Sequence, residues 1–264
     1  MAHANQTKSA RTETAPRVLL YDLETSPIIG YTWGTWETDV IKIIQQRQII
    51  SFAWKWLGES KVNCLALPDF PGYIEDKKNN RPLIMALHKL FSQADIVVGH
   101  NVKKFDDKRS MTDFIRHKLP PPPPHKQVDT LEFARSKFDF TSNRLDDLGQ
   151  FLELGRKVKH PGFEMWEGCL AGERESWALM RKYNKQDVAL LEKIYLRLRP
   201  YMMRHPNMSA PEGLEGCPVC KSKKLERRGW NISQKGKAPR FQCQDCGKWS
   251  SGSFILKDRR WRFT

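Results

Sequence analysis

Arg17-Val-Leu-Leu-Tyr-Asp-Leu-Glu24 is a short apolar run that closes on two carboxylates. A run of this length reads as a buried strand. Side chains on a strand alternate between faces, so Asp22 and Glu24 project from the same face of the sheet. A strand holds such a pair rigidly, and the rest of the chain places further acids in comparable positions.

Around this strand the pattern is continuous. Gln48–Trp56 and Lys61–Leu67 read as a hairpin about Gly58-Glu59-Ser60. Leu83, Ile84, Leu87, Leu90 and Phe91 share one helical face over 82–94, and Pro82 suits a first turn. Asp95-Ile-Val-Val-Gly99 is a second buried strand, with a helix over 105–117 after it. The five prolines Pro120–Pro124 form a stiff surface connector. Helices over 130–137 and 145–154 follow, then a long one over 173–203. The order β-β-β-α-β-α with further helices predicts an α/β fold, a mixed sheet flanked by helices.

Further acids fall on this frame. Gly99-His-Asn-Val-Lys-Lys-Phe-Asp106 leaves a strand and enters a helix, which puts Asp106 near the first turn. Tyr183-Asn-Lys-Gln-Asp187 lies inside the long helix, with phenol and carboxylate on one face at i, i+4. Each piece alone is common on ordinary surfaces; the ordered set is not. Four carboxylates converging on one pocket repel unless cations neutralise them. Two Mg²⁺ or Mn²⁺ ions about 3.5–4 Å apart meet that need in in-line phosphoryl displacement. Asp129, in Val128-Asp-Thr-Leu131, is a further acid at a strand end and is expected to be structural or a helix N-cap.

The three motifs together resemble the DnaQ-like, or DEDD, 3′–5′ exonuclease superfamily over about residues 17–203. Tyr21-Asp-Leu-Glu-Thr25 is similar to the first exonuclease motif, in a form close to that of family B polymerase proofreading domains. Gly99-His-Asn-x-x-x-Phe-Asp106 resembles the second, and Tyr183-x-x-x-Asp187 the third, in its tyrosine subclass. The resemblance implies a ribonuclease H-like fold and two catalytic metals held by Asp22, Glu24, Asp106 and Asp187. One ion, bridging Asp22 and Asp187, would supply hydroxide from bound water; the second would stabilise the leaving 3′-oxygen. Tyr183 would orient the water, since a phenol of reference pKa near ~10 is a poor base at pH 7. Asp107 is the neighbouring acid, but the polymerase motif spacing favours Asp106. Asn101 and Phe105 resemble positions that line the terminal nucleotide's pocket, and read equally well as a turn-capping amide and a core aromatic. Related proteins usually continue the second motif with apolar residues, whereas here Asp107-Lys-Arg-Ser110 is charged.

The C-terminal segment is of another kind. Cys217-Pro-Val-Cys220 and Cys243-Gln-Asp-Cys246 are two knuckles 22 residues apart. This spacing predicts a closed four-thiolate Zn²⁺ site that folds the segment, in preference to an iron centre or redox pair. The segment resembles the zinc ribbons of transposases and transcription proteins, which implies nucleic-acid contact. Residues 217–264 carry thirteen Lys and Arg against three Asp and Glu. Arg228, Trp230, Lys235, Lys237, Arg240, Trp249, Arg259, Arg260 and Trp261 interleave cations with flat aromatics, a mixture suited to phosphates and bases. Trp230, Phe241 and Trp249 could instead fill the ribbon's small core, and Phe241 is expected there.

The whole chain of 264 residues has a formal charge of +15, most of it in this segment, with +5 left for residues 1–216. A basic excess suits a polyanionic partner. No apolar run approaches the length of a membrane span, and no amphipathic anchor accompanies the charge, so a membrane is not expected. Met1–Arg17 lacks an apolar secretory region, and paired knuckles suit a reducing setting, so a cytoplasmic location is expected. Cys64 and Cys169, which stand alone, are expected as small buried side chains. The expected organisation is a mobile arm over 1–16, a catalytic domain over 17–205, a linker over 206–216 and the ribbon with its basic tail over 217–264. The expected activity is metal-dependent 3′–5′ hydrolysis of nucleic acid, DNA in preference to RNA. A replication or repair protein served in trans is a candidate partner. The alternatives are a transposase-like strand-transfer enzyme, whose site would end in a helical Glu, and a non-catalytic binding protein.

Overall fold

The computed structural model describes residues 15–36, 38–213, 215–234, 236–253 and 255–256. The arm expected over 1–16 lies almost wholly outside them, as do Lys235, Arg259, Arg260 and Trp261. The chain divides into one unit, Arg17–Met202, and a second that contains Met203 onward.

The first unit is built on a five-stranded mixed sheet. Its strands are β1 (Val18–Thr25), β4 (Ile49–Trp56), β5 (Asn63–Ala66), β6 (Ile96–Gly99) and β7 (Lys126–Asp129), in the order β5-β4-β1-β6-β7. Strands β4 and β5 run antiparallel beside β1, whereas β6 and β7 are parallel to it. A separate two-stranded ribbon, β2 (Ile29–Tyr31) and β3 (Lys42–Gln45), leaves the end of β1. It carries exposed isoleucines and, at its tip, Trp33 and Trp36 at 93% and 86% exposure. Among the described residues six α-helices complete the unit: α1 (Arg81–Phe91), α2 (Asp106–Arg116), α3 (Thr130–Lys137), α4 (Leu145–Phe151), α5 (Glu164–Ala171) and α6 (Arg174–Leu198). The expected elements are present with ends shifted by a few residues; β7 is the strand whose end was read at Val128-Asp129, and the β2–β3 ribbon and α5 are additions.

Central β1 decides where the site lies. Leu19, Tyr21 and Leu23 point into a core with Phe52, Leu83, Leu87 and Phe91, where Tyr21 meets Phe91 edge to face at 5.2 Å. Val18 and Leu20 point to the other face, and the strand's period of two carries Asp22 and Glu24 there as well. That face is covered by α6: Lys55, opposite Leu20, pairs with Glu192 of α6, and Ser51, opposite Glu24, bonds Asn184 of α6. One face of β1 therefore stabilises by apolar burial, and the other brings its terminal acids against a helix.

The charged continuation of the second motif packs by polar pairing. In α2, Ser110 donates to the carbonyl of Asp106, and fully buried Asp113 accepts two bonds from Arg109 and one from the backbone of Ile49. Phe114 supplies the apolar contact, edge to face with Phe91. Among the described residues no helix is long and apolar enough to cross a membrane.

The second unit is a β-ribbon of β8 (Leu225–Ser233), β9 (Gly236–Cys243), β10 (Trp249–Ser251) and β11 (Ile255–Leu256). Its buried cluster is Cys217, Val219 and Cys243, with Cys220, Leu225 and Cys246 packed against it. Phe241, expected in the ribbon's core, is half-buried and is not among the residues packed on that cluster. The segment read as a linker has contacts of its own. The amide of Met208 donates to Pro218, and the Ser209 hydroxyl to Cys217.

Candidate active site

Asp22 and Glu24 of β1 and Asp187 of α6 offer carboxylate oxygens that all lie within 4.8 Å of one another. Asp106, buried at the first turn of α2, stands outside that trio, yet its charge is the largest felt by Asp22. The four expected acids thus act on one another electrostatically, while three form the tight cluster. Burial is the first cause of their perturbation. It raises Asp22 well above the usual carboxylate range, helped by the charges of Asp106, Asp187 and Glu24. Glu24 is pushed up to about 8 by burial and by Asp187, and Asp106 to about 7 by burial against the pull of the Leu23 amide. Asp187 rises as well, again by burial. At neutral pH the pocket holds protons that a divalent cation would displace.

Two features show that this donor set fits cations. Among the described residues the buried Asp187 Oδ1 atom has no hydrogen-bond partner, which is costly for a carboxylate unless a ligand meets it. The other oxygen, Oδ2, is met by the ammonium of Lys157 at 2.5 Å, which also donates to the Tyr183 hydroxyl at 3.0 Å. Burial works against the Lys157 charge, but Asp187 and Tyr183 more than restore it. Burial and the Asp187 charge push the Tyr183 phenol up to about 12, so it stays protonated and serves as a donor. The Tyr183 ring is held edge to face by His160 and Trp166, at 4.9 and 6.4 Å.

Asn184 ties the pieces together. It is fully buried in α6, accepts from the Ser51 hydroxyl at 3.1 Å, and donates to Asp22 Oδ2 at 2.8 Å and to the Asp22 carbonyl at 3.2 Å. The amide thereby fixes one oxygen of Asp22 and leaves the other for a ligand.

The loop of the second motif is shaped by Asp129. Its carboxylate accepts from the amides of Leu131 and Glu132, as the expected N-cap of α3, and also from those of Asn101 and Lys103. Asn101 adopts a left-handed φ of 74°, and its carbonyl receives the amides of Lys104 and Phe105. Phe105 packs on the core. The main chain of Asn101 thus makes the turn, and Phe105 takes a place at the core. A Cβ at Gly99 would stand 2.7 Å from that of Val102, so the strand end must be glycine. Burial lowers His100 to about 4, so its ring is neutral. Because the carbonyl of Asn143 can only accept, Nε2 carries the proton, while Nδ1 lies 2.9 Å from the Thr130 hydroxyl, which donates to the Gly99 carbonyl.

Among the described residues two cavities lie near the acid-bearing end of β1. One of about 610 Å³ is lined by Asp22, His100, Arg135, Arg144, Asp146 and Lys157 among others, and so places three cations beside two carboxylates. A smaller one of about 380 Å³ opens at the end of β1, between Thr25, Arg47, His160, Phe163 and Trp166.

In the ribbon, the Sγ atoms of Cys217 and Cys246 are 3.6 Å apart, as are those of Cys220 and Cys243. Sulfurs at the zinc–thiolate distance form a tetrahedron with edges of about 3.8 Å; the four thiols fit a zinc ion. The two knuckles share one hydrogen-bond pattern. The amides of Lys221 and Gly247 return to Cys217 and Cys243, whose own amides bond Ser222 and Lys248. Lys221 and Gly247 are both left-handed, at φ 66° and 76°. Burial raises the Cys243 thiol, but the amides of Cys246 and Asp245 bring it down to about 7.

Of the expected nucleic-acid contacts, Arg228 pairs with Glu226, whereas Trp230 lies under Arg227 and Lys237, and Trp249 under Arg240. Lys157, Asn184 and His160 were not anticipated. Asn184 had a signal: an uncapped asparagine in mid-helix, three residues before Asp187. Lys157 and His160 sit on an irregular loop and had none.

A family model described as Exonuclease matches residues 71–164, less than half of the chain. That stretch contains Asp106, Asp129 and Lys157, and leaves out Asp22, Glu24, Tyr183 and Asp187. No curated protein matches the chain. Among solved structures, the family B DNA polymerase from the hyperthermophilic archaeon Pyrobaculum calidifontis aligns with a TM-score of 0.53 at 15% identity. The alignment covers 70% of this chain and 25% of the polymerase, so the shared region is about a quarter of that protein. At that identity the likeness shows the fold, the ribonuclease H-like mixed sheet anticipated from the motifs. The family match supports a nuclease.

Proposed function

We propose that the protein is a metal-dependent 3′–5′ exonuclease that releases nucleoside 5′-monophosphates, with single-stranded DNA the favoured substrate and the ribbon as its nucleic-acid grip. One observation carries this reading: three carboxylates from β1 and α6 converge within 4.8 Å, and one of them keeps a buried oxygen unpartnered. Asp22, Glu24 and Asp187, with Asp106 behind them, would hold two Mg²⁺ or Mn²⁺ ions; the four cysteines would hold one Zn²⁺. Bound divalent ions supply an activated water and take up the charge that develops on the phosphoryl oxygens.

The chain's own groups have separate tasks. Asn184 holds Asp22 in one rotamer. Tyr183, kept protonated, donates its hydrogen bond and does not abstract a proton. Lys157, Arg135 and Arg144 offer phosphate contacts in the larger cavity, which suits the terminal nucleotide. Lys157 neutralises Asp187 until a cation does, and its loop position lets it turn toward a phosphate. A replication or repair protein remains the proposed partner in trans. The strand-transfer reading calls for a helical glutamate in the cluster, and among the described residues α6 contributes an aspartate instead.

The test uses end-labelled single- and double-stranded DNA and RNA with Mg²⁺ or Mn²⁺, wild type beside Asp22→Ala. The expected result is a ladder of monophosphates from the 3′ end, absent in the variant. Internally nicked or joined products, or undiminished activity in Asp22→Ala, would overturn the proposal.

A further inference from the structure

The register of the ribbon separates its two cation–aromatic clusters. On β9, Lys237, Pro239 and Phe241 share one face, and Ala238, Arg240 and Gln242 share the other. Trp230 lies directly opposite Pro239, and Trp249 opposite Gln242. Opposed residues of an antiparallel pair project to the same side. The two indoles therefore stand on opposite faces of one sheet. A bulge between Arg227 and Trp230 sets Arg228 and Gly229 against Arg240 alone, which keeps Arg227 on the Trp230 face.

Each face repeats the same chemistry. On the first, the Arg227 guanidinium and Lys237 ammonium lie 4.7 and 4.5 Å from the Trp230 ring centre. On the second, the Arg240 guanidinium lies 4.8 Å from that of Trp249. The indoles remain 37% and 38% exposed. Among the described residues none of these three cations has a carboxylate partner; the ribbon's acids Glu226 and Asp245 pair with Arg228 and Lys224. A cation without a counter-ion beside a flat ring offers a phosphate contact next to a stacking platform. The segment's excess of ten positive charges over 48 residues sets the sign of the partner. Stacking on an indole requires an unpaired base, which a duplex does not present.

We infer that the ribbon binds single-stranded nucleic acid on both faces, one segment on Trp230 and another on Trp249, so that one chain holds two segments at once. This rests on the nucleic-acid reading above but not on hydrolysis. The buried cluster of Cys217, Val219 and Cys243 does not include these aromatics, so each face can be altered without removing it.

The test is calorimetric titration of full-length, zinc-loaded Asp187→Asn protein with a hexanucleotide of thymidylate, without added Mg²⁺ or Mn²⁺. Arg227→Ala/Trp230→Ala and Arg240→Ala/Trp249→Ala should each remove one bound oligonucleotide per chain. The oligonucleotide that remains should keep the salt slope of its own face, about 0.7 for each phosphate neutralised there, because the two faces share no cation. The fourfold variant should lose both oligonucleotides, and all three variants should retain one zinc. Either paired variant removing as much as the fourfold one would mean a single joint site and overturn the proposal. So would either paired variant leaving the stoichiometry unchanged. Competition by polyglutamate as strong as by thymidylate would replace nucleic acid with an acidic protein and overturn it as well. Hydrolysis by the wild type is scored separately: two strands bound and none cut refutes the nuclease and leaves the two-faced ribbon standing.

Discussion

The acid pocket and the thiol cluster are both candidate metal centres, and they are built on opposite plans. The thiols come from two knuckles with one repeated backbone pattern, every sulfur is turned to its fellows, and no position is left for a substrate. The acids come from a strand and two helices distant in sequence. One oxygen is unpartnered, another is covered by a lysine, and a cavity with three cations opens beside them. A closed site contributes to folding and little else. An open one keeps atoms unsatisfied, and that unmet demand is what a substrate and its cations can answer. The contrast gives each site its own signature under substitution.

The largest effect should come from crossing the two. Asp187→Ala should lower hydrolysis by at least about a thousandfold, the loss of several kcal/mol of charge stabilisation, with zinc content unchanged. Cys217→Ser should empty the zinc site and weaken nucleic-acid binding, while residual hydrolysis by the first unit survives. Metal analysis beside the nuclease assay checks both, and loss of both properties in either variant breaks the separation. Next in size is Asn184→Ala. It should weaken activation by Mn²⁺ about 10–100-fold, as loss of a residue supporting a metal ligand does, and Asn184→Asp should not restore it, because a carboxylate cannot donate to Asp22. A titration of activity against Mn²⁺ that leaves the midpoint unmoved would exclude the positioning role.

A smaller effect should appear in stability against pH. Glu24 is raised in the folded protein to about 8, so its contribution is fully present below its unfolded value and is lost as pH rises through about 8. Without added divalent ions the melting temperature should therefore fall between about pH 5 and 8. The stabilisation by Mn²⁺ should grow over the same range, because fewer protons need displacing. Scanning calorimetry decides, and Glu24→Gln should flatten the dependence. Smallest is Lys157→Met. Its partly exposed ammonium counters a buried carboxylate, so removal should destabilise the metal-free protein by about 1–2 kcal/mol and matter less once Mn²⁺ is bound. An equal loss with and without Mn²⁺ would show that Lys157 is ordinary packing.

The contrast also explains what could be foreseen. Regular elements impose a period, and β1, β4, β6, α1 and α6 were legible because burial writes that period into Leu, Ile, Val and Phe. The same period located Asp22, Glu24 and Asp187, whose faces follow from strand and helix geometry. The knuckles were legible because a four-thiolate metal site requires such spacing. The β2–β3 ribbon escaped because its isoleucines and tryptophans are exposed, so no burial pattern marks it. Lys157 escaped because loops have no period, and its place beside Asp187 depends on closing a sequence separation of 30. Asp129 was anticipated as a cap, but its second grip, on the Asn101 loop, joins elements whose contact only the sheet order brings about.

The paired knuckles have a consequence for the integrity of the chain. Each supplies two sulfurs, and the hairpin between them holds the second pair near the first at a high effective concentration. A cut anywhere from 221 to 242 would turn a four-armed chelate into two halves that meet only by diffusion. Proteolysis at one peptide bond would then release the metal and dissolve the ribbon together, so possession of zinc reports that this stretch is unbroken.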